Sequence, residues 1–600
     1  MYILGLSFFY HDSAAALLKD GEIIAAAQEE RFSRKKNTPD FPEEAIKFCL
    51  EFANINIKDI DYIVFYEKPF EKFERIFKSI LATYPRSIIS FKDIITAWFG
   101  KKLWIKDIIA DKLDISTDKI YFVEHHLSHA ASSFLSSPFN SAAILTIDGV
   151  GEWATTTIGV GKRDIKTGNN KIILEKEIHF PHSIGLLYSA FTAFLGFKVN
   201  EGEYKVMGMA PFGEPKYVNK IKDNIVYINR DGSFKLNMKY FTYHYHNKKT
   251  YNRKFKKVFG PPRKPDSDFV AKLKGWKVDI IEKESKYYAD VAASIQKVTE
   301  DIILNIVNKL YEESKEKYLC IAGGVGLNSV ANGRILRESK FENIYIQPAS
   351  GDAGGAVGAA LYFYYVVLKN KGKYVMENAY LGKEYSDNDI KYFLNKNGIP
   401  YKRLPDTKLY DEVIKALGEK KIVGWFQGRF EWGPRALGNR SILADPRFPE
   451  IKDIVNLKIK FREPYRPFAP AVLDEDVEKY FEIKNPDKVL PAKFMLLVTN
   501  VRKSKRNKIP AVTHVDGTGR IQIVKRKDNR RYYELIKRFK EKTGIGVILN
   551  TSFNLKGEPI VNTPENAFNT FMKSGMDLLV LNNFIIYKKD IKEKISNESA

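Results

Sequence analysis

Cysteine is nearly missing from this 600-residue chain: Cys49 and Cys320 are the only two. Both sit in apolar runs, KFCLEF and YLCIAG, with no CxxC pair, so a disulfide framework is excluded, nothing suggests an oxidising compartment, and both read as reduced core residues. No run of 18 apolar residues occurs, which excludes a simple membrane-spanning helix. The start, MYILGLSFFYHD, lacks the basic flank and small-residue cleavage site of a secretory leader, so a cytoplasmic protein with no membrane partner is expected. Glutamine appears five times and histidine nine times. Scarce glutamine beside abundant Lys, Glu and Ile is a bias met in thermophile proteins. It offers an explanation of the formal charge of +24 that needs no nucleic-acid partner. What is abundant is apolar: at 44% hydrophobic and 13% aromatic, 600 residues exceed one core, and two or three domains follow.

The N-terminal region repeats itself. YILGLSFF, AAALLKDG and EIIAAAQEER read as three consecutive strands joined by tight turns, and AAILTIDG, ATTTIGVGK and KIILEKEI read as a second such meander. Helical patterns follow each copy, EEAIKFCLEFAN after the first and HSIGLLYSAFTAFLG after the second. A duplicated meander with helices is the layout of an actin-like (ASKHA) ATPase-type α/β domain, which holds nucleotide between its lobes. KYLCIAGGVGLNSVANGRILRE then runs a strand through a Gly-Gly turn into a helix, where backbone N–H groups can meet phosphate or ribose. NIYIQPASGDAGGAVGAALYFYYVVL carries Asp352 on a glycine-rich turn before a close-packing Ala/Gly helix. The aperiodic stretch KNKGKYVMEN marks a boundary near residue 375, giving domains at 1–370 and 376–600. The second reads as another α/β domain.

Three of the nine histidines fall in VEHHLSHAASSF. With a helix from about Leu127, His125 and His129 share one face, as two metal ligands must, and His126 points elsewhere. Further ligands are needed, and Asp148 and Asp352, expected to be exposed on turns, can supply them. Such a His-His-Asp-Asp set suits iron, manganese or zinc better than magnesium. His11 and Asp12 occupy the first hairpin turn, where a histidine can serve as general base, polarise a carbonyl, or merely brace the turn. In the second domain Arg429, Arg435, Arg440, Arg462 and Arg466 lie among Gly, Pro and aromatic residues rather than on amphipathic helices, a setting for bidentate binding of phosphate or carboxylate. The segment 247–264, NKKTYNRKFKKVFGPPRK, interleaves eight cations with Tyr251, Phe255 and Phe259. That is a nucleic-acid texture, and equally that of an exposed lysine-rich insertion; the second reading is preferred, which argues against a nucleic-acid partner.

The ordered motifs GLSFFYHDSAAAL, EERFSRKKN, HHLSHAASSF, TIDGVGEWATT, EGEYKVMGMAPFG, AGGVGLNSVANGRI, GRFEWGPRALGNRSILADPR, REPYRPFAPAV, HVDGTGRIQ and LNTSFNLKGEPIV resemble those of the NodU/CmcH carbamoyltransferases over nearly the full length. The resemblance implies an ATP-dependent O-carbamoyltransferase. In that family a C-terminal YrdC-like domain is thought to turn carbamoyl phosphate and ATP into carbamoyl adenylate, and the actin-like domain then moves the carbamoyl group to an acceptor hydroxyl. It implies metal at His125, His129, Asp148 and Asp352, with iron(II) the usual ion and manganese or zinc as alternatives. It implies acceptor activation at His11 with Asp12, and nucleotide at Gly149, Gly323, Gly324 and Asn328. For the anionic substrates the candidates are Arg429, Arg435, Arg440, Lys458, Arg462, Arg466, Thr513, His514, Arg520, Asn550, Ser552 and Asn554. Glu203 and Lys205 are weaker candidates for substrate contact. A tRNA threonylcarbamoyl-transfer enzyme shares the N-terminal fold and is the alternative. The acceptor stays open, and a homodimer is compatible with the sequence.

Overall fold

The computed structural model describes all residues except 89, 90, 92, 93, 95, 97, 247 and 600, and excepting the side chains of 101 and 594–599. Asn247, the first residue of the basic segment, therefore lies outside the described residues. The chain divides into two compact units. Unit 1 comprises residues 1–29, 37–268 and 283–376, and unit 2 comprises 30–36, 269–282 and 377–600. Two short excursions of the N-terminal sequence thus belong to unit 2, which linear boundaries at 370 and 376 do not contain.

Unit 1 holds two five-stranded sheets. In the first, β1 (Tyr2–Ser7), β2 (Ala14–Lys19) and β3 (Glu22–Gln28) form the antiparallel meander, and β4 (Tyr62–Phe65) and β5 (Ile120–Phe122) continue in parallel, in the order β3-β2-β1-β4-β5. In the second, β6 (Ser141–Ile147), β7 (Ala154–Lys162) and β8 (Lys171–His179) form the meander, and β9 (Tyr318–Ala322) and β10 (Asn343–Tyr345) add the parallel strands, in the order β8-β7-β6-β9-β10. One strand order therefore occurs twice, the duplication an actin-like layout requires. β1 and β6 are buried along nearly their whole length because each lies centrally, between an antiparallel and a parallel neighbour.

Three helices of unit 1 matter for the site. They are α1 (His125–Phe134), α5 (Ser329–Glu338) and α6 (Asp352–Tyr362), with α2 (Ile184–Phe194), α3 (Arg253–Phe259) and α4 (Lys283–Ser314) between them in sequence. α1 and α6 pack backbone to backbone. A Cβ on Gly358 would come 1.8 Å from the Ser128 carbonyl oxygen, so only glycine permits this approach. α1 begins at His125, two residues before the expected Leu127. The reason is Glu152, whose carboxylate accepts the His125 N–H at 3.0 and 3.1 Å and satisfies a donor at the helix start.

Unit 2 is built on one mixed sheet of eight strands. These are β11 (Lys402–Arg403), β12 (Val423–Phe426), β13 (Arg440–Ala444), β14 (Ala469–Leu473), β15 (Gln522–Val524), β16 (Val547–Ser552), β17 (Leu578–Leu581) and β18 (Phe584–Tyr587). Their order is β11-β18-β17-β12-β13-β16-β14-β15. Both units are α/β. Among the described residues no helix is long and apolar enough to cross a membrane, and both cysteines are buried and in no disulfide.

The basic segment resolves into two faces. Along α3, Phe255 and Phe259 are buried against Phe191 and Phe194 with ring centroids 5.1–6.2 Å apart, while Lys254, Lys256 and Lys257 face solvent. The phenylalanines interleaved with the cations are core residues, not a stacking platform for bases.

Candidate functional sites

In unit 1, four side chains converge where β6 ends and α1 and α6 begin. Asp148 follows β6 directly, His125 and His129 lie one turn apart on α1, and Asp352 opens α6. His125 Nε2 stands 3.0 Å from Asp148 Oδ2 and 3.0 Å from His129 Nε2. His129 Nε2 is 3.7 Å from both Asp148 Oδ2 and Asp352 Oδ1. One donor atom from each of the four falls within 4.8 Å of every other. Asp148 and Asp352 are buried rather than exposed, because the strand end and the helix start carrying them are enclosed by α1.

The donor set fits a first-row transition ion. Asp352 Oδ1 is buried and makes no hydrogen bond among the described residues, and neither does the Nδ1 of His125 or His129. Two imidazole Nε2 atoms and two carboxylates aimed at one another, with an unpaired buried oxygen, are what such an ion satisfies. The charges agree. Burial works to lower His129, but the carboxylates of Asp148 and Asp352 beside its ring outweigh this and raise its pKa to about 9. Burial works to raise Asp148, yet His125 and His129 hold it well below the usual carboxylate range.

The surrounding shell fixes these ligands. The Gly324 N–H donates to Asp148 Oδ1 at 2.9 Å, and Tyr66 OH donates to Asp352 Oδ2 at 3.4 Å. Glu67 Oε2 lies 3.8 Å from His125 Nδ1 and pairs with the buried Lys72. Glu67, Tyr66 and Lys72 carry no signal in a single sequence; Glu152 does, inside TIDGVGEW. His126 is buried apart from the set. Its Nε2 donates to the Ala154 carbonyl at 2.8 Å and its Nδ1 accepts from Thr146 Oγ1 at 2.6 Å. Burial first, and then the neighbouring His125 and His129, press its pKa down to about 3, so it is a neutral bracing residue.

His11 sits on the β1–β2 turn, partly exposed. Its Nδ1 is 3.0 Å from Asp12 Oδ2 and its Nε2 is 3.8 Å from Asp352 Oδ2, while Asn37 Nδ2 holds the other Asp12 oxygen at 2.7 Å. Burial opposes its charge, but Asp352 and Asp12 raise its pKa to about 10. An imidazolium here is a donor, the carbonyl-polarising role of those the sequence left open. A cation on Asp352 would offset that carboxylate and bring His11 back toward neutrality.

The candidate nucleotide residues divide. Gly149 faces open space, and its carbonyl accepts from Ser183 Oγ at 2.7 Å. At Gly323, with φ +92°, a Cβ would strike the Ile147 carbonyl oxygen at 2.2 Å, so this glycine serves strand approach. Gly324 spends its N–H on Asp148. Asn328 caps α5 through the Ala331 N–H at 3.1 Å and exchanges amide bonds with Gln296. The Glu203 carboxylate accepts from Ser189 Oγ at 2.9 Å and from the N–H groups of Asn200 and Gly202 at 3.0 and 3.1 Å. Lys205 lies over the Phe197 ring at 5.4 Å.

In unit 2 the arginines also divide. Arg429 donates to the carbonyls of Gly382 and Leu381 at 3.0 and 2.6 Å. Arg440 is fully buried on the Phe426 ring at 3.6 Å and donates to the carbonyls of Gln427, Gly428, Asn439 and Lys383. These two hold loops together. Arg435, Arg462 and Arg466 instead crowd Arg520: burial first, then those three guanidiniums, drive its pKa well below the usual arginine value. Arg462 is oriented by Asn456 Oδ1 at 2.7 Å and Arg466 by Glu463 at 3.5 Å.

Lys458 is exposed, and the buried cation of that stretch is Lys460, two residues on. Its ammonium donates to the Ser552 and Asn554 carbonyls at 2.5 and 2.9 Å and to Asn554 Oδ1 at 2.6 Å. Burial, then Arg462, Arg466 and Lys36, press it well below a normal lysine. The short helical turn after Ile451 moves the buried face off Lys458, which the alternation LKIKFR does not reveal. Thr513 bonds the Ile509 carbonyl at 3.0 Å, and His514 Nδ1 pairs with Thr518 Oγ1 at 3.1 Å. The Asn550 amide bonds Gln522 Oε1 at 2.7 Å while its own Oδ1 is buried without a hydrogen-bond partner among the described residues.

Residues 2–361 match the family model described as "Carbamoyltransferase N-terminus" and residues 414–588 match "Carbamoyltransferase C-terminus". The chain belongs to the carbamoyltransferase family. Among its relatives, the nodulation protein NolNO of Sinorhizobium fredii is 36% identical over 97% of this chain and 79% of that one. An uncharacterized protein of Synechocystis sp. is 47% identical over 98% and 97%. The 3'-hydroxymethylcephem-O-carbamoyltransferase of Amycolatopsis lactamdurans is 35% identical over 41% of this chain and 44% of that one. This carbamoyltransferase is an enzyme of the transferase class.

Proposed function

We propose that this carbamoyltransferase is an ATP-dependent O-carbamoyltransferase working in two steps. In unit 2, read as the YrdC-like adenylate-forming domain, carbamoyl phosphate, ATP and water give carbamoyl adenylate, phosphate and pyrophosphate. In unit 1 an acceptor hydroxyl attacks the carbamoyl carbon, and the bond to AMP breaks. The observation that carries the reading is the crowding of Arg435, Arg462, Arg466 and Arg520. Four like charges at one place repel, and anionic substrates with many phosphate oxygens relieve that repulsion. Lys460 braces the Ser552–Asn554 limb beside them.

In unit 1, His125, His129, Asp148 and Asp352 would hold a divalent ion, with iron(II) preferred over manganese or zinc. Such an ion supplies Lewis-acid polarisation of phosphate or carbonyl oxygens when bound. With such an ion offsetting Asp352, a neutral His11 whose Nδ1–H is held by Asp12 would accept the acceptor hydroxyl's proton at Nε2, and Gly149 leaves space for the nucleotide. The tRNA-modifying alternative is disfavoured: the carbamoyltransferase C-terminal match covers residues 414–588 of unit 2, and Phe255 and Phe259 of the basic segment are packed inside.

The test incubates metal-loaded protein with ATP and carbamoyl phosphate and follows pyrophosphate release and carbamoyl adenylate by mass spectrometry. Both are expected, and the absence of both would sink the first step. His125→Ala is expected to lose the bound metal and the transfer to acceptor while keeping pyrophosphate release; loss of both steps together would refute the division of labour.

A further inference from the structure

The seven residues Glu30–Lys36 follow β3 in sequence but belong in space to unit 2. Arg31 is 1% exposed, and its Nη2 donates to the Gly433 carbonyl at 2.6 Å. Arg34 donates from Nη1 to the Ile560 carbonyl at 2.7 Å and from Nη2 to the Pro559 carbonyl at 2.8 Å. The carbonyls belong to two different loops. Gly433 lies in the β12–β13 loop, which carries Arg435 and is organised by Glu431, whose Oε1 accepts from the N–H groups of Leu437, Asn439 and Arg440. Pro559 and Ile560 lie on the return limb of the loop after β16, whose outgoing limb is the Ser552–Asn554 stretch gripped by Lys460. Val561 closes that loop on the Phe553 carbonyl at 2.9 Å.

Arg34 has φ +59°, a left-handed conformation that a side-chain-bearing residue adopts only at an energetic cost. Its two hydrogen bonds to adjacent carbonyls offset that cost. Arg31 retains two buried donors, Nε and Nη1, with no partner among the described residues, so its burial is not explained by its own hydrogen bonding.

We propose that Arg31 and Arg34 are positioning residues of the anion site in unit 2, clamping the β12–β13 loop and the loop after β16 so that Arg435 and the Ser552–Asn554 limb face the same substrate. The inference rests on reading that arginine cluster as the site for carbamoyl phosphate and ATP. It gives the motif ERFSRKK, which belongs to unit 2, a role in positioning the loops of that unit's anion site.

The test uses the full-length protein with inorganic pyrophosphate as probe, titrated calorimetrically into wild type, Arg34→Ala, Arg34→Lys and Arg31→Lys. Carbamoyl-phosphate-dependent ATP–pyrophosphate exchange is measured alongside, with bound metal and thermal midpoint as controls. Arg34→Ala is expected to weaken pyrophosphate binding and raise the KM for carbamoyl phosphate by about tenfold each, with kcat within about threefold and metal content unchanged. Arg34→Lys should fall between, since an ammonium lacks the fixed fork that meets two carbonyls. Pyrophosphate affinity and KM unchanged in Arg34→Ala overturn the proposal, as does a fall in kcat alone, which a merely structural role predicts. Should Arg34→Ala not fold, the two lysine variants are judged by the same criterion. Wild type that binds pyrophosphate but runs no exchange refutes adenylate formation and leaves the positioning role standing, whereas wild type that binds no pyrophosphate overturns the proposal itself.

Discussion

Arg440 and Arg520 carry the same guanidinium and meet opposite surroundings. Arg440 has four backbone carbonyls and an aromatic face around it, whereas Arg520 has three other arginines. Arg440→Lys is expected to destabilise unit 2 by about 3 kcal/mol, because a point ammonium cannot satisfy carbonyls spread around a plane; urea denaturation checks this. Arg435→Ala, by contrast, should leave stability within about 1 kcal/mol and raise the KM for carbamoyl phosphate. His514 adds a pH dependence. Burial, with help from Lys452 and Arg520 and against Asp516, lowers its pKa to about 4. The unfolded chain takes up this proton below about 6.5 and the folded one only near 4. Stability is therefore fully present above pH 6.5 and lost as pH falls toward 4, by about 2 kcal/mol between pH 7 and pH 5. His514→Asn should flatten that slope, read from unfolding curves at the two pH values.

Among the elements, the contact between α1 and α6 sets the ligand geometry, since α1 carries both histidines and α6 opens with Asp352. Gly358→Ala is expected to push the helices apart against the Ser128 carbonyl and to abolish metal binding, measured by metal analysis of the purified protein, while pyrophosphate release in unit 2 persists. Gly151 plays a similar part: a Cβ there would come within 2.9 Å of His126 and 3.0 Å of His125. The HxxxH spacing made the two histidines legible, because four residues return a helix to the same face. Tyr66 and Glu67 of the shell were not legible, since the parallel strand β4 delivers them from more than 50 residues away in sequence.

For the whole molecule, the charge of +24 is spread over solvent-facing lysines and concentrated at one place in unit 2. Replacing Lys254, Lys256 and Lys257 of α3 by Glu is expected to leave carbamoyl transfer within about twofold, because their partners on the helix, Phe255 and Phe259, face the core. A larger loss, measured as acceptor carbamoylation, would point to a substrate path over that face.

By itself the sequence determined the two meanders, the helix bearing His125 and His129, the buried cysteines and the run of arginines in unit 2. Each of these depends on alternation, turn residues or charge within a few positions, which are local properties of a chain. Only the tertiary structure decided that Asp148 and Asp352 are buried together, that Arg429 and Arg440 brace loops while Arg435, Arg462, Arg466 and Arg520 gather, that Lys460 and not Lys458 is enclosed, and that residues 30–36 serve unit 2. Those outcomes depend on which strand ends and loops meet after hundreds of intervening residues, and burial, not residue type, then sets what each charge can do.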